Sequence, residues 1–296
     1  ALAHPEVQIR DEALARLAAW GAEDPDRVLA ALPAVCEDPE VAQKIGELRL
    51  RIPLYQASID DPELRKAVQA FLDEPTSKAL GNALRKTGRQ RRRIMAGSLE
   101  RLMESGDAGV RKTALLYLGP QAPASAADRM IRAALEDPDR EVRIEALRAI
   151  GAGKQAGAAP RIFPCLTDPE WSVRQIAAQA LGDLKDRASV PDLLRQVQDM
   201  EPNVRQAALS ALGRIGDPAA CPKLEEILAV SDAKNRSAVV YALCLLEGPA
   251  RIRRFLEDPE PSIRVTAIRA AAVRGLGELA DPVCDQLTHA HVSVRR

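Results

Sequence analysis

The segment of this sequence with the clearest capacity for binding is a basic run from Arg85 to Arg93. Its nine positions hold no acidic residue and six basic ones, namely Arg85, Lys86, Arg89, Arg91, Arg92 and Arg93. Such a cluster attracts phosphates or an acidic partner protein. The alternative is a solvated helix start, with Asp73, Glu74 and Glu100 balancing part of the charge. Cations at a helix N-terminus interact unfavourably with the helix dipole. Because the basic run is unfavourable for the helix itself, its presence slightly favours a binding role.

Catalytic and metal-binding patterns do not occur in the sequence. The histidines are His4, His289 and His291, and a spacing of two places the last pair on different faces of a helix. Metal ligands on one helix are usually three or four residues apart. There is no phosphate-binding loop, no nucleophile elbow and no evident cysteine–histidine pair. We therefore predict no cofactor, no metal and no enzymatic activity in this segment.

Composition narrows the class of protein further. The 296 residues carry zero formal net charge, so no global attraction draws the chain to nucleic acid or anionic membrane. No run of about 18 apolar residues exists, which predicts no membrane insertion by this segment. The N-terminus does not resemble a signal peptide. Scattered cysteines predict buried free thiols in a reducing compartment, and we expect a cytoplasmic protein. They are Cys36, Cys165, Cys221, Cys244 and Cys284.

A recurring heptapeptide, Asp-Pro-x-x-x-Val-Arg or a close variant, organises the chain. It occurs at 137–143, 168–174, 199–205 and 258–264. The basic residue at its last position recurs at spacings of 28 to 34 residues. These marker residues are Arg10, Lys44, Lys78, Arg111, Arg143, Arg174, Arg205, Arg236, Arg264 and Arg295. A repeat of this length is typical of a solenoid, in which each repeat packs on its neighbours.

Each repeat reads as two antiparallel helices. We predict that Asp-Pro caps and starts an inner helix, since the carboxylate accepts free N–H groups and Pro suits the first position. Positions three, four and seven after the marker are apolar and predict a buried face. Gly151, Gly182 and Gly213 are predicted to end their helices. An outer helix follows, for example at 190–197.

The segment Asp199–Asp217 (DMEPNVRQAALSALGRIGD) resembles the HEAT repeat in its short, bilin-lyase-like form. The resemblance implies an all-α fold, a right-handed α–α superhelix (HEAT-like solenoid) of about nine to ten repeats. It says little about function, because relatives include bilin lyase subunits, a di-iron hydroxylase, DNA glycosylases, transport receptors and plain scaffolds. The repeated His-Glu pairs of the hydroxylase do not occur in this chain.

The marker series predicts a single continuous solenoid over 1–296, with no linker. Repeats are longer and more degenerate over 1–106, and regular at about 31 residues over 107–296. The pattern predicts that the chain begins within an inner helix at 4–10 and stops within another at 289–296, with no polar cap at either end. We expect a segment of a longer protein, whose catalytic activity, if there is one, belongs to another domain or to a partner.

The marker arginines allow two interpretations. They form either a basic stripe for an anionic ligand or a structural ladder, in which each arginine meets an aspartate of its own or the adjacent repeat. The family resemblance implies the ladder, and the geometry of arginine–carboxylate pairs suits it. The pairs are Asp137 with Arg143, Asp168 with Arg174, Asp199 with Arg205, and Asp258 with Arg264.

Positions one and five after the marker are predicted to line the concave groove. This polar strip comprises Gln175, Gln179, Gln206, Ser210, Ser237 and Tyr241, flanked by Arg148 and Arg269. It suits an extended peptide or a helix, and an ordinary solvent-facing surface is the equal alternative. Trp171 is either an exposed hot spot or a packing residue.

We therefore predict a non-catalytic scaffold that binds another protein, or a domain of its own parent chain, through the groove or the basic run. Two alternatives stay open, a nucleic-acid-binding solenoid and an enzyme subunit of the bilin-lyase type. A DNA glycosylase is disfavoured because the strip is neutral, with Tyr241 its only aromatic residue.

Overall fold

The computed structural model describes residues 62–85, 95–119, 126–155, 157–230, 233–275 and 277–286, with scattered helical positions between Val28 and Leu54. The chain forms two compact units, Ala1–Ala149 and Ile150–Arg296. All regular structure in the described ranges is helical. The two chain ends, together with Lys44, lie outside these ranges, so the predictions of uncapped ends and of one continuous solenoid stay predictions.

The first unit contains five complete helices and the start of a sixth within its described part. They are α1 (Pro62–Asp73), α2 (Ser77–Arg85), α3 (Ala96–Leu102), α4 (Ala108–Leu118), α5 (Ala127–Glu136) and α6 (Arg140–Gly153), which crosses the unit boundary. Helix α1 packs on α2, α3 packs on α4, and α2 also packs on α4. Neighbouring helices along the chain therefore pair, as the repeat predicts.

The second unit continues the same alternation of helices. Its helices are α7 (Ala159–Ile162), α8 (Trp171–Leu184), α9 (Val190–Gln196), α10 (Pro202–Ile215), α11 (Cys221–Val230), α12 (Ala233–Glu247), α13 (Pro249–Leu256), α14 (Pro261–Arg274) and α15 (Ala280–Asp285). Marker-bearing helices pack side by side in the order α8, α10, α12 and α14. Helices α9, α11 and α13 pack against them as the second helix of each repeat. This arrangement confirms an all-α solenoid.

Small and branched aliphatic side chains form the core. The positions three, four and seven after the marker are buried as predicted at Ala177, Ala178 and Leu181, and again on α10 at positions 208, 209 and 212. Alanine at two of these positions lets neighbouring helix axes approach closely. On α14 the match is partial, because Ile268 is half-exposed while Ala267 is buried.

The prediction that the Asp-Pro of the heptapeptide caps the inner helix is wrong at Asp168 and Asp258. Helix α8 begins at Trp171, three residues after Asp168, and its N-cap residue Glu170 makes no side-chain cap. Instead, Oδ1 of Asp168 accepts a hydrogen bond from the N–H of Glu170 at 2.9 Å. Asp199 forms the same tight turn before α10. An aspartate that bonds the N–H two residues ahead closes a turn and delays the helix.

The predicted helix-ending role of the three glycines is also wrong. Helix α8 runs past Gly182 to Leu184, and α10 runs past Gly213 to Ile215. A Cβ at Gly182 would lie 2.8 Å from the Cα of Ala211 on the next marker-bearing helix. These glycines therefore permit close helix packing. Helix α10 ends at Gly216, which has a φ of 72°.

Candidate binding surfaces

The arginine ladder is a set of contacts between consecutive repeats. On α8, Arg174 donates from Nε to Oδ2 of Asp199 at 2.8 Å and from Nη2 to Oδ1 at 3.0 Å. Its Nη1 donates to the carbonyls of Asp168 and Pro169, in its own heptapeptide. Arg174 thus joins the backbone of its own turn to the carboxylate of the next repeat.

The first unit contains an equivalent rung. Arg111 on α4 donates to both carboxylate oxygens of Asp137, each at 2.8 Å. Its Nη1 donates to the carbonyls of Ser105 and Gly106. Lys112 adds an exposed ion pair with Glu141.

Within each heptapeptide, the marker arginine contacts a carbonyl of the opening aspartate. Arg143 donates to the carbonyl of Asp137, Arg205 to that of Asp199, and the buried Arg264 to that of Asp258. The carboxylate partners seen at Arg111 and Arg174 belong to the adjacent repeat. Of the two pairings that the sequence allows, these rungs use the inter-repeat one.

Electrostatics agree with a structural role for the ladder. The hydrogen bonds from Arg174 lower the pKa of Asp199, with a further contribution from the N–H of Glu201. The same contact raises the pKa of Arg174, and a bond to Asp137 raises the pKa of Arg111. These charges are therefore fixed across the ordinary pH range and are largely satisfied within the protein.

One rung of the ladder is altered. Val230 occupies the position that corresponds to Asp199 in the preceding repeat, and Val230 is 86% exposed. Arg205 consequently donates from Nε to Oδ1 of Asn235 at 3.0 Å rather than to a carboxylate. The signal was present in the sequence, since the segment 230–236 ends in the marker arginine but does not begin with Asp. Sequence reasoning missed its consequence.

The polar strip lies on consecutive helices of the second unit. Its members on α8, α10 and α12 are Gln175, Gln179, Gln206, Ser210, Ser237 and Tyr241, and all are half-exposed or exposed. Each pair is separated by four residues and so lies on one helix face. In the described part of the chain, none of these side chains makes a hydrogen bond to protein. The exposed Arg269 on α14 belongs to the same unit.

Arg148 differs from the rest of the predicted strip. It lies in the first unit, on α6, and donates from Nη1 to Oε2 of Glu145 at 3.5 Å. Glu145 is buried, whereas the Arg148 side chain is mostly exposed. Arg148 therefore has a structural partner of its own, and its membership of the strip stays a prediction.

A second inter-repeat contact borders the strip and was missed from the sequence. Arg214 on α10 donates to Oδ1 of Asp183 at 2.7 Å and to the carbonyl of Gln179 at 3.1 Å. Asp183 and Arg214 both stand nine residues after their markers. Aligning the repeats would have revealed opposite charges at this shared position. The contact holds α8 and α10 together beside the strip.

Trp171 is the first residue of α8 and is 40% exposed, so it is neither fully packed nor fully free. The corresponding positions on α10 and α14 are Pro202 and Pro261. Met200, in the turn before α10, is 93% exposed. The start of α8 and the turn before α10 therefore each expose an apolar side chain to solvent.

The basic run begins at the C-terminal residue of α2. Arg85 is exposed, donates to the carbonyl of Gly81 at 3.3 Å and also hydrogen-bonds Asn82. It borders an open groove of about 530 Å³ between α1 and α2, lined by Ala67, Ala70 and Ala79. The other predicted members, Lys86, Arg89, Arg91, Arg92 and Arg93, lie outside the described residues.

Two of the acids expected to balance this run have other partners. Asp73 accepts a hydrogen bond from Gln69 at 2.7 Å, and Glu100 forms an ion pair with Arg129 at 3.6 Å.

Comparison with known proteins identifies the family to which this helical architecture belongs. The family model of HEAT repeats matches residues 95–168 and 159–244, which together span just over half of the chain. The chain belongs to the HEAT-repeat family. No curated protein matches its sequence.

Several solved structures are similar to this chain. The complex of CpcE and CpcF of phycocyanin lyase from Nostoc sp. PCC7120 aligns with a TM-score of 0.51 at 25% identity, covering 64% of this chain and 80% of that one. An engineered protein aligns at 0.46 and 19% identity, covering 99% and 84%. The YibA protein of Escherichia coli aligns at 0.45 and 19% identity, covering 74% and 83%.

HEAT repeats are typical of protein-interaction scaffolds. Across the described residues, no cluster of histidine, cysteine or acidic residues is suited to a metal ion. No described helix is both long enough and apolar enough to cross a membrane. Burial raises the pKa of the Cys244 thiol to about 12 and that of Cys221 to about 11, so both are protonated at neutral pH. Cys284 is exposed.

Proposed function

We propose that this HEAT-repeat chain is a non-catalytic scaffold that binds a partner protein along the polar strip of its second unit. The observation that carries the proposal is that the polar side chains of the strip are available for hydrogen bonding. Six polar side chains on three adjacent helices are accessible, and none forms a hydrogen bond to another described residue. By contrast, Arg174 and Arg214 in the same unit are engaged in hydrogen bonds between repeats.

The chemistry of the strip suits an extended or helical polypeptide. Glutamine and serine side chains both donate and accept hydrogen bonds, so they pair with backbone N–H and C=O groups as well as with polar side chains. Tyr241 adds an aromatic surface of the kind enriched at binding hot spots. Because the strip residues are neutral, affinity there should depend only weakly on salt.

Trp171 and the basic run supply two further contact points in this proposal. The half-exposed Trp171 offers a large apolar anchor at the start of α8. The basic run from Arg85 to Arg93 supplies an attraction for acidic segments that would weaken with salt. The two surfaces belong to different units, so we treat them as separate sites.

A site-specific photo-crosslinking experiment tests the strip. A photoreactive amino acid is placed at position 206 on the strip or at position 226 on α11, where Glu226 is exposed on a second helix. With extract from the native host, we expect a defined crosslinked protein from position 206 and none of the same mass from position 226. Equal crosslinking from both positions would remove the strip as the binding surface.

Substitutions make the test quantitative. The strip variant combines Gln175→Ala, Gln206→Ala and Tyr241→Ala. Its matched control combines Arg187→Ala, at an exposed position in the turn before α9, with Lys223→Ala and Glu226→Ala at exposed positions on α11. We expect the strip variant to bind the captured partner at least tenfold more weakly, since truncating hot-spot residues costs about 1–2 kcal/mol each. The control should bind like the wild type. Charge reversal at Arg91, Arg92 and Arg93 tests the basic run separately.

A second candidate function is that of a bilin-lyase-type subunit. The structural likeness to the phycocyanin lyase complex supports it, since it covers 64% of this chain at 25% identity. The test is an absorbance spectrum of the chain mixed with a bilin and an acceptor protein. A shift of the bilin band that requires this chain would favour the lyase function over the plain scaffold.

A further inference from the structure

The altered rung at Arg205 creates a groove unlike its counterpart at Arg174. At Arg174, both Nε and Nη2 bind the carboxylate of Asp199 from the next repeat. At Arg205, Nε binds the amide oxygen of Asn235, and Nη2 has no acceptor among the described residues. No described carboxylate lies within ion-pair distance of Arg205.

Beside Arg205 lies an open groove of about 420 Å³, which we call the Val230 groove. Its apolar wall consists of Val197, Leu209, Ile227, Val230 and Val239, and Arg205 lines its polar edge. Val230, at the end of α11, is 86% exposed where the intact rungs have aspartate. The groove therefore combines an aliphatic wall with a cation whose hydrogen-bonding capacity is incomplete.

The local charge favours an anion. Asp199 also lines the groove, but both of its oxygens accept hydrogen bonds from Arg174. Among the described residues that line the groove, Arg205 is therefore a cation whose charge no lining carboxylate pairs with. A carboxylate arriving from outside would complete the contact that Asp199 and Asp137 complete within the chain at the intact rungs.

We propose that the Val230 groove binds an acidic segment of a partner protein, in which an Asp or Glu stands next to an aliphatic residue. The carboxylate accepts a hydrogen bond from Nη2 of Arg205, and the aliphatic side chain packs on the apolar wall. The proposal rests on the protein-binding function proposed above only in assigning the ligand to a polypeptide. It places that ligand in a groove that none of the six polar-strip residues lines.

The test uses the whole chain and a blocked pentapeptide, acetyl-Ser-Leu-Asp-Leu-Ser-amide, with the Asn peptide as its matched control. Two-dimensional NMR follows the Nε–Hε signal of Arg205 and the methyl signals of Val230 during titration. We expect saturable shifts of both with the Asp peptide at millimolar concentration. The Asn peptide should bind about tenfold more weakly, because it lacks the charge-assisted hydrogen bond.

Two variants at Val230 sharpen the test. Val230→Asp supplies the missing carboxylate within the chain and should abolish binding of the Asp peptide. Val230→Asn introduces a side chain of the same shape as aspartate but without its charge. This variant should retain at least half of the wild-type affinity for the Asp peptide. Because the position is exposed, neither substitution should disturb folding, and circular dichroism checks this.

Three results would overturn the proposal. They are the absence of shifts at millimolar peptide, equal binding of the Asp and Asn peptides, and unchanged binding by Val230→Asp. Binding of 4-methylpentanoate without binding of the Asp peptide would overturn the assignment to a polypeptide. None of the six strip residues lines the groove, and the strip variant leaves Arg205 and Val230 unchanged, so failure of the groove and failure of the polar strip are separate results.

Discussion

Replacing Arg174 with alanine should loosen the junction between two repeats. The side chains of Arg174 and Asp199 are only 16% and 10% exposed, and two hydrogen bonds of 2.8 and 3.0 Å join them. The substitution also removes the donor to the carbonyls of Asp168 and Pro169. Asp199 would then retain, among the described donors, the N–H of Glu201.

The expected loss lies between the values for exposed and buried ion pairs. Exposed pairs contribute about 0–1 kcal/mol, and breaking a fully buried pair costs about 3–5 kcal/mol. For a pair that is mostly but not fully buried, we expect Arg174→Ala to lower the free energy of unfolding by about 2–3 kcal/mol. Arg195→Ala is the matched control, because that side chain is 72% exposed and pairs with Asp192 on its own helix. It should cost under about 0.5 kcal/mol.

Urea unfolding followed by far-ultraviolet circular dichroism measures both losses at pH 7. A double-mutant cycle with Asp199→Ala isolates the contact, and we expect a coupling free energy of about 1.5 kcal/mol. A loss from Arg174→Ala no larger than that from Arg195→Ala, or a coupling near zero, would refute the view that the ladder joins repeats.

The same pair predicts a dependence on pH. The hydrogen bonds from Arg174 lower the pKa of Asp199 in the folded protein. A carboxyl whose pKa is lowered by folding stabilises the protein above its unfolded pKa, about 3.9, and this contribution is lost as the pH falls through the folded pKa. The stability gap between wild type and Arg174→Ala should be constant from pH 7 to 5 and narrow below about pH 4. A gap that widens on acidification would contradict this assignment.

Two further predictions concern packing and thiol chemistry. Gly182→Ala should destabilise the protein by about 1–3 kcal/mol in the same urea assay, because the added Cβ would lie 2.8 Å from the backbone of α10. Gly81→Ala is the control. Because Gly81 has open space around it, that substitution should be neutral or stabilising. In the native protein at pH 8, maleimide should modify Cys284 and spare Cys221 and Cys244. The latter two are buried and have raised pKa values, so they remain inaccessible thiols. Peptide mass spectrometry measures the modification at each site. Rapid native labelling of Cys244 would show that the core opens far more readily than its packing implies.

The extent of successful prediction follows from the periodicity of the repeat. Ala177, Ala178 and Leu181 were assigned to the core from their spacing after Arg174, and all three are buried. Spacing succeeds here because a helix returns to the same face every three to four residues, whatever its neighbours are. The existence of paired helices in each repeat was predictable for the same reason.

Local residue chemistry was a poorer guide to helix boundaries. The carboxylate of Asp168 was expected to cap a helix and instead closes a turn with the N–H of Glu170. Gly182 was expected to end a helix and instead lies inside one. Both residue types serve several structural roles, and the choice among them depends on contacts that come from other repeats.

The sequence alone therefore determined the all-α repeat, its two-helix unit and the buried face of each helix, because local spacing encodes these features. The tertiary structure decided which residues meet between repeats. It paired Arg174 with Asp199 of the next repeat, placed Ala211 against Gly182, and left Arg205 beside Val230 with no carboxylate partner among the described residues. Such contacts join residues about 25 to 30 positions apart, and their geometry depends on how neighbouring helices stack, which local periodicity does not specify.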